Sequence, residues 1–342
     1  MIRVLVLGGS GFVGRNLVAR LVAAGCRVTV PSRRPARARS LTVLPAVRVV
    51  DADVHQDSSL APLIAEHDAI VNLIGILHGK PGRYPPADAA SRARQWPLDV
   101  AALDIGPDFG RAHVDLADRL VRLAPPGMRL IQMSALGAQA APPAKLPSRY
   151  LRSKAAAEAI VSASTLAWTI VRPSLLFGEG DSSASLFAAL QTLLPVVALP
   201  RAGAKFQPLW VVDLARAMAA CLVDPRGRRT VGRAFEVAGP TVMTLADMVR
   251  LAGQAAGHRR PVIGLPDGLG RLQAALMEFA PGPTLMSRDN LASMSIDNIL
   301  GADATPLLPV FGIIPRPIDE VLPSYLGHLH TDFDDARLRA GH

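Results

Sequence analysis

The sequence places a cluster of glycines directly after its first apolar run. Arg3–Leu7 is apolar with one leading charge, and the residues that follow are Gly8, Gly9, Ser10, Gly11, Phe12, Val13 and Gly14. Glycine is needed where a turn is tight, where the backbone approaches a pyrophosphate and where a helix packs closely on a strand. The free N–H groups at the start of the next helix bind phosphate. The spacing predicts a dinucleotide-binding turn, with a plain glycine-rich turn as the alternative.

The residues after the second predicted strand, Arg27–Val30, bear on the type of dinucleotide. NAD sites usually place Asp or Glu about 20 residues after the glycines, to bind the ribose hydroxyls. Here Ser32, Arg33 and Arg34 occupy this place, and a carboxylate is absent. Because guanidinium groups pair bidentately with phosphate, these residues favour NADP(H) over NAD(H). Two exposed arginines without a role, in an arginine-rich chain, are the alternative.

Tyr150 and Lys154 stand four residues apart on one face of a predicted helix. An ammonium near a phenol favours the phenolate, so such a tyrosine can donate or accept the proton that accompanies hydride transfer. The lysine is informative because the chain has four lysines against 33 arginines. The alternative is a pair retained for cofactor binding alone. Ser134, at the end of a strand, is a candidate to hydrogen-bond a substrate carbonyl, with a strand-end cap as the alternative.

Further cofactor contacts are predicted at the ends of other strands. Asp53 and Val54, after the third strand, are placed to meet the adenine, and a surface turn is the alternative. The segment that ends the fourth strand includes a small residue that lets a cofactor lie close, and its predicted contacts are Leu73, Ile74 and Gly75. Pro173 ends the sixth strand and is included as a contact, although Arg172 and Pro173 together indicate mainly a strand end.

The first half of the chain alternates apolar runs with helical periodicity. The predicted strands are Arg3–Leu7, Arg27–Val30, Val47–Val50, Ala69–Ile74, Arg129–Met133 and Trp168–Arg172. The predicted helices are Asn16–Ala24, Asp57–Glu66, His113–Leu123 and Tyr150–Ser162. Continuous apolar strands that alternate with helices predict an α/β fold with a doubly wound parallel sheet of Rossmann type.

Prolines interrupt this rhythm after Pro173. The sequence then predicts a strand at Ala234–Ala238 and helices at Asp213–Val223, Thr244–Ala256 and Leu269–Phe279. We therefore predict a dinucleotide-binding domain over residues 1–178, completed by about 205–240. A smaller substrate or partner lobe is predicted over 179–204 and 241–325, and a tail over 326–342.

One stretch of the first half lacks periodicity. Residues Ile76–Gly110 are rich in Pro, Arg and Asp and follow the fourth strand, so they emerge at the sheet edge where ligands bind. The segment is interpreted as a functional or mobile loop, and a flexible insertion without a role is the alternative.

Composition restricts the class of protein. The 342 residues are 50% hydrophobic, which excludes an intrinsically disordered chain. The two cysteines, Cys26 and Cys221, exclude a disulfide scaffold and indicate a reducing compartment. The net charge of +9 favours anionic partners. Few aromatic residues and no known motif make nucleic acid a poor candidate. No metal is predicted, because His328 and His330 indicate a solvated tail.

The mean hydropathy of +0.27 leaves membrane-surface contact open. No targeting peptide is recognised, and no apolar window reaches the length of about 18 residues that a spanning helix needs. A cytoplasmic protein is expected, with peripheral contact at the inner face of the membrane as a further option.

Seven segments together carry a family resemblance: GGSGFVG, NLIG, MSALGA, YLRSK, IVRPSLLFGEGD, FQPLWVVDLARA and FEVAGP. They resemble the extended and atypical short-chain dehydrogenase/reductase superfamily, whose members include epimerase/dehydratase-like proteins, from about Met1 to about Asn298. The series NLIGIL, RPSLLFG and FQPLWVVDLA is most similar to one branch. That branch contains the NADPH-binding accessory subunit of respiratory complex I and its bacterial relatives.

The resemblance implies a Rossmann-type fold, NADP(H) bound at Gly8, Gly11, Gly14, Arg33 and Arg34, and a Ser134, Tyr150 and Lys154 constellation. It also implies that turnover is not assured, since the complex I subunit is regarded as structural or regulatory. Other relatives in the branch are linked to quinone metabolism. Two features depart from the pattern: the insertion is longer than usual, and His113 stands where sugar-nucleotide epimerases tend to have Asn, which argues against a plain epimerase.

Two functions follow. The first is an NADP(H)-dependent oxidoreductase acting on an apolar carbonyl or a quinone-like substrate. The second is a non-catalytic, NADPH-binding assembly or sensor protein associated with respiratory complex I or quinone metabolism.

Overall fold

A parallel sheet forms the centre of the protein. The computed structural model describes residues 1–80, 82, 84, 96–279 and 286–327. Its strands are β1 Arg3–Leu7, β2 Arg27–Ser32, β3 Val47–Asp51, β4 Ala69–Asn72, β5 Arg129–Met133, β6 Ala167–Pro173, β7 Leu176–Phe177, β8 Val197–Pro200, β9 Lys205–Phe206, β10 Leu209–Trp210, β11 Arg233–Val237, β12 Met243–Thr244 and β13 Val262–Leu265. Within the described residues, seven of these strands form one sheet in the order β3-β2-β1-β4-β5-β6-β11, and all neighbours are parallel. The predicted doubly wound α/β fold is confirmed.

The helices are α1 Phe12–Ala23, α2 Asp57–Ala65, α3 Leu116–Leu123, α4 Arg149–Ser162, α5 Ser183–Leu193, α6 Val211–Val223, α7 Leu245–Ala255, α8 Asp267–Phe279, α9 Arg288–Ser293 and α10 Ile318–Leu326. A π-helical segment, Gly110–Asp115, leads into α3. Strand β1 is fully buried from Val4 to Leu7, because side chains on both faces of a doubly wound sheet are covered. The core on one face includes Leu5, Ile70, Leu116, Leu130 and Ile170.

Helix and strand boundaries differ from the predictions by a few residues, each with a local cause. Helix α1 begins at Phe12 rather than Asn16, since its first turn lies inside the glycine motif. It ends as predicted before Gly25, which has a φ of 81° and caps the helix through its N–H to Val22 O. Strand β4 ends at Asn72 rather than Ile74, because the Asn72 side chain accepts a hydrogen bond from Ile74 N.

The described part of the Ile76–Gly110 insertion packs against the helices. Val100 and Ile105 are buried against Ala156 of α4. The Tyr84 ring lies over Gly110, where a Cβ would come within 2.0 Å of it, and its hydroxyl donates to Asp115. These residues are therefore built into the core. Residues 81, 83 and 85–95 of the insertion lie outside the described residues.

The described residues form two compact units. The first comprises Met1–Pro173, Leu214–Val237 and Ala302–Ile313, and it contains the seven-stranded sheet. The second comprises the described residues within Ser174–Asp213, Ala238–Gly301 and Ile314–Gly327. The predicted domain boundaries near residues 178, 205–240 and 325 stay a prediction.

The second unit has its own apolar core. Ala184 and Ala188 of α5 pack with Ala252 of α7 and Leu322 of α10. The buried Gln191 side chain bonds both backbone groups of Arg260, as donor to its carbonyl at 3.2 Å and as acceptor from its N–H at 2.7 Å. Strand β13 begins just after Arg260 and pairs in parallel with β8, with Val197 opposite Val262.

Replacement of Gly14 by alanine tests the close packing of the glycine turn. A Cβ at Gly14 would lie 2.4 Å from Gly8 O and 2.5 Å from Gly9 Cα, which are backbone atoms that cannot turn aside. We expect Gly14→Ala to lower the free energy of unfolding by about 1–3 kcal/mol in urea titrations. Gly203→Ala is the control, since nothing lies within 4 Å of a Cβ there. Equal stability of the two variants would contradict the packing.

Candidate functional site

The glycine turn lies where β1 ends and α1 begins. Gly8 has a φ of 79°, which side chains other than glycine rarely adopt, and Gly11 N donates to Gly8 O at 3.0 Å. A Cβ at Gly9 would come within 2.7 Å of the Val30 side chain on β2. Ser10, Phe12 and Val13 complete the turn and the first residues of α1. The loop is thus compressed between two strands and a helix, with backbone N–H groups at the helix start.

The predicted phosphate-binding arginines follow β2, the neighbour of β1. Arg33 and Arg34 are exposed, and Arg34 N donates to Ser32 Oγ at 3.2 Å. The short helix after them, Pro35–Leu41, adds no acidic residue. Since β1 and β2 are parallel, these guanidinium groups and the glycine turn lie at the same edge of the sheet.

A histidine missed by the sequence analysis stands at the end of β3. Val54 is buried in the core, and Asp53 Oδ1 accepts a hydrogen bond from His55 N at 3.1 Å. The His55 Nδ1 atom is buried without a hydrogen-bond partner in the described structure. Burial, together with the charge of Arg111, lowers the pKa of His55 to about 4. No spacing rule points to this residue, since the charges of Arg111 and Arg119 act on it from segments distant in sequence.

The end of β4 packs on the glycine turn. A Cβ at Gly8 would lie 3.3 Å from both Leu73 C and Ile74 N. Asn72, buried next to them, donates to Gln132 Oε1 at 3.0 Å and so ties β4 to β5. The structure therefore brings two of the predicted contact segments, the glycine turn and Leu73–Gly75, together.

Gly75 lies against the predicted Tyr–Lys pair. A Cβ at Gly75 would come within 2.9 Å of Lys154 Nζ and 3.4 Å of His113 Nε2. Lys154 is 4% exposed, and its ammonium donates to Met133 O at 3.3 Å. Burial lowers the pKa of Lys154 to about 8, opposed by the charge of Glu158. The ammonium thus sits between the end of β5 and the segment after β4.

Tyr150 lies one helical turn before Lys154 on α4. Lys154 Nζ is 5.9 Å from the centroid of the Tyr150 ring. Burial raises the pKa of the Tyr150 phenol. The ring packs edge-on against Phe109 and His113, with centroids 6.2 and 5.9 Å away. In this arrangement the phenol is held as the neutral form.

Ser134 follows β5 directly, as predicted. Its N–H donates to Val171 O at 2.7 Å, whereas its buried Oγ has no hydrogen-bond partner among the described residues. A buried hydroxyl without a partner is costly, so it indicates a place for a ligand atom. Pro173, at the end of β6, is buried, and its carbonyl accepts from Leu136 N at 3.0 Å.

His113 joins the segment after β4 to the helix of Tyr150. Its Nε2 accepts from Ile76 N at 3.1 Å, so the proton lies on Nδ1, which donates to Ser153 Oγ at 2.8 Å. Ser153 in turn donates to Tyr150 O at 2.7 Å. Complete burial and the nearby Lys154 charge lower the His113 pKa well below its usual value. The neutral imidazole is thus a fixed link between two predicted parts of the site.

Behind Lys154 runs a row of alternating buried charges. Glu158, one turn further along α4, forms a bidentate ion pair with Arg172 on β6, with atoms 2.5–3.1 Å apart. Glu236 on β11 stands opposite Arg172 in the sheet register and accepts from Gln139 Nε2 at 2.9 Å. The sequence analysis assigned Arg172 mainly to a strand end. In the structure Arg172 also neutralises the Glu158 carboxylate, which lies one turn after Lys154 on α4.

Two further observations concern metals and membranes. The described part of the chain contains no group of three or more His, Cys, Asp or Glu side chains placed to hold a metal ion. The predicted solvated tail with His328 and His330 lies outside the described residues. No helix in the described ranges is long and apolar enough to cross a bilayer.

Comparison with known proteins identifies relatives. The family described as NAD(P)H-binding matches residues 8–192, more than half of the chain. The Arabidopsis thaliana protein "NADH dehydrogenase [ubiquinone] 1 alpha subcomplex subunit 9, mitochondrial" is 27% identical over 87% of this chain and 71% of its own length. The Neurospora crassa "NADH-ubiquinone oxidoreductase 40 kDa subunit, mitochondrial" is 24% identical over 94% and 78%. These matches confirm the resemblance to the complex I accessory-subunit branch.

Solved structures of similar fold are more distant in sequence. An Escherichia coli NADPH-dependent quinone oxidoreductase in complex with NADPH has a TM-score of 0.64 at 16% identity, over 95% of this chain and 99% of its own. A Bacillus cereus UDP-glucuronic acid 4-epimerase in complex with UDP-glucuronic acid and NAD has a TM-score of 0.65 at 14% identity, over 96% and 99%. At these identities the likeness concerns the fold.

The buried histidines predict a loss of stability in mild acid. Their folded pKa values lie below the unfolded value of about 6.5, so the unfolded chain binds more protons below that pH and stability falls as pH falls. The lowered carboxylate pKa values, about 2 for Asp57, Asp68 and Asp224, act only in stronger acid. Between pH 7 and pH 5 the free energy of unfolding is therefore expected to decline.

His113→Gln isolates the contribution of the fully buried imidazole. Linkage allows one histidine to change stability by at most about 1.4 kcal/mol per pH unit. Urea titrations at pH 7, 6 and 5 are expected to show a shallower decline for His113→Gln than for the native chain. His55→Gln serves as the matched comparison at the other buried histidine. A decline in His113→Gln as steep as that of the native chain would refute the neutral, buried His113.

Proposed function

Because the chain belongs to the NAD(P)H-binding family, we propose that it binds NADP(H) at the carboxyl edge of β1, β2 and β3. The observation that carries this proposal is the pair of exposed arginines, Arg33 and Arg34, beside the glycine turn, in a segment without any carboxylate. Guanidinium groups match a 2′-phosphate, whereas a ribose without phosphate is usually bound by Asp or Glu.

The other predicted residues fit such a ligand. The N–H groups at the start of α1 would hold the pyrophosphate, and Arg33 and Arg34 the 2′-phosphate. Asp53 and Val54 would contact the adenine. Leu73–Gly75 would contact the remaining part of the dinucleotide. Lys154, whose ammonium lies against Gly75, would bind the nicotinamide ribose. The absence of a side chain at Gly75 lets Lys154 Nζ lie close to the segment after β4, where the ribose would be bound.

We further propose that the protein serves as a non-catalytic accessory subunit, with the dinucleotide as a stabilising ligand. The curated relatives cover most of the chain and carry the names of respiratory NADH dehydrogenase subunits. Burial raises the Tyr150 pKa and lowers that of Lys154 to about 8, and neither shift prepares the phenol to release a proton at neutral pH. A ligand that binds the folded chain alone stabilises it by mass action. The expected partner is a membrane-peripheral respiratory assembly.

A second candidate is an oxidoreductase that reduces an apolar carbonyl or a quinone-like molecule. The unpartnered, buried Ser134 Oγ favours it, since this hydroxyl is free to donate to a substrate oxygen. Tyr150 would hold the proton to be transferred, and Lys154, kept cationic by Glu158, would favour the phenolate. The nicotinamide, when bound, supplies the hydride.

Exchange of the two arginines tests the phosphate contact. In the double variant Arg33→Ala/Arg34→Ala, we expect NADPH affinity to fall roughly 10- to 100-fold, because two charge-assisted hydrogen-bonding groups are lost. NADH affinity should change little. The control is Arg37→Ala/Arg39→Ala, which removes the same charge from exposed positions of the adjacent turn. Isothermal titration calorimetry measures the affinity of each of the three proteins for each dinucleotide, and equal binding of NADPH and NADH by the native chain would overturn the assignment.

Turnover separates the two candidates. For the accessory role we expect NADPH to bind tightly and to stay unoxidised with aldehydes, ketones and quinones, for both the native chain and Tyr150→Phe. Nicotinamide absorbance follows the reaction. Oxidation by the native chain that falls by about 100-fold or more in Tyr150→Phe, with NADPH affinity retained, would instead establish the oxidoreductase.

A further inference from the structure

Helix α8, in the second unit, exposes a continuous apolar stripe. Leu269, Leu272, Leu276 and Phe279 are 55%, 57%, 65% and 84% exposed. Their spacing of three, four and three residues places all four on one face of the helix. Scattered exposed leucines are ordinary, but four large apolar side chains aligned on 13 residues form a patch.

The stripe takes no part in holding the helix. On the side that packs, Gly270 and Ala274 are buried, and a Cβ at Gly270 would come within 2.7 Å of Pro200. Gln273 Nε2 donates to Ala198 O at 3.3 Å. Small residues and one amide thus fix α8 on strand β8, and the large apolar side chains point away from that contact.

These contacts also give the direction of the helix. As α8 runs from Gly270 to Gln273, its partner on β8 moves back from Pro200 to Ala198, so the two elements are antiparallel. The carboxyl half of α8 therefore lies beside the start of the β8–β13 ladder. Exposed apolar residues occur at that end too, at Leu193, Val196 and Ile263.

Positive charge accompanies the apolar patch. Arg259 and Arg260 precede the start of β13, and Arg271 lies on α8. All three are exposed, and no ion pair involves them within the described ranges of the chain. Both acidic residues of α8 are engaged by other arginines, Asp267 by Arg201 and Glu278 by Arg288. The surroundings of the stripe therefore carry uncompensated cations.

We propose that α8 is an interfacial helix that docks the second unit on an anionic lipid bilayer. The leucines and Phe279 would enter the boundary between headgroups and acyl chains, and Arg259, Arg260 and Arg271 would meet lipid phosphates. A second copy of the chain fits less well. A helix of 13 residues is about 20 Å long, and its narrow stripe falls far short of the roughly 800 Å² per partner that a stable dimer buries. This inference does not depend on dinucleotide binding.

Vesicle flotation tests the proposal with the full chain. The vesicles are phosphatidylcholine alone or an equimolar mixture with phosphatidylglycerol, at low and high salt. We expect binding to the anionic vesicles that weakens with salt, and at least a tenfold loss of partitioning for Leu272→Asp/Leu276→Asp. The control Val43→Asp/Val231→Asp makes the same charge change at exposed apolar sites of the first unit and should bind like the native chain. Arg259→Gln/Arg260→Gln/Arg271→Gln should bind less at low salt.

Thermal unfolding and far-ultraviolet circular dichroism of each variant show whether it is folded. Three results would overturn the proposal: no binding of the native chain to anionic vesicles, binding unaffected by Leu272→Asp/Leu276→Asp, or equal loss in the control pair. A concentration-dependent dimer in analytical ultracentrifugation that dissociates in Leu272→Asp/Leu276→Asp, without vesicle binding, would assign the stripe to a second copy. The outcome of this experiment does not affect the test of dinucleotide binding with the Arg33 and Arg34 variant, which measures a different property.

Discussion

A buried ammonium imposes the strictest condition on this fold. Lys154 is 4% exposed, and removing a charge from water costs several kcal/mol unless another charge compensates. Glu158 supplies that charge from the next turn of α4. The Glu158 carboxylate is itself buried, and it accepts hydrogen bonds from Nε and Nη2 of Arg172. Arg172 lies on β6 in register with Glu236 of β11. The compensation of one cation thus involves charged side chains on a helix and two strands of the first unit.

The same condition shapes the chemistry beside it. Burial, and then the neighbouring cation, lower the pKa of His113, so the imidazole stays neutral and can accept from Ile76 while it donates to Ser153. That link sets the segment after β4 at a fixed distance from Tyr150. These hydrogen bonds hold the side chains in place without a ligand, and such an arrangement suits tight retention of a dinucleotide as well as it suits catalysis. It therefore does not choose between the two proposed roles, whereas turnover does.

Local patterns were sufficient to predict the sheet, since strands such as Arg3–Leu7 are apolar after one leading charge and end at a clear turn signal. The glycine turn and the helix face shared by Tyr150 and Lys154 were also foreseen, because each depends on neighbours in the sequence. The features that the sequence did not predict depend on contacts between residues that are far apart in the sequence. The charge of Arg111 acts on His55 from the π-helical segment, and the partner of Arg172 lies 14 residues before it on a different element. The stripe on α8 carries the helical period of a core helix, and only the structure shows that it faces outward.

Tyr84 and the π-helical segment have a consequence for how such chains diverge. The ring occupies the place of a side chain at Gly110, and the hydroxyl binds Asp115, so the insertion and the segment before α3 are complementary. A homologue with a shorter insertion lacks the Tyr84 ring. Such a homologue can carry a larger residue at the position of Gly110 and an uncharged residue at the position of Asp115. The three positions are therefore expected to change together in evolution, as a unit separate from the glycine turn.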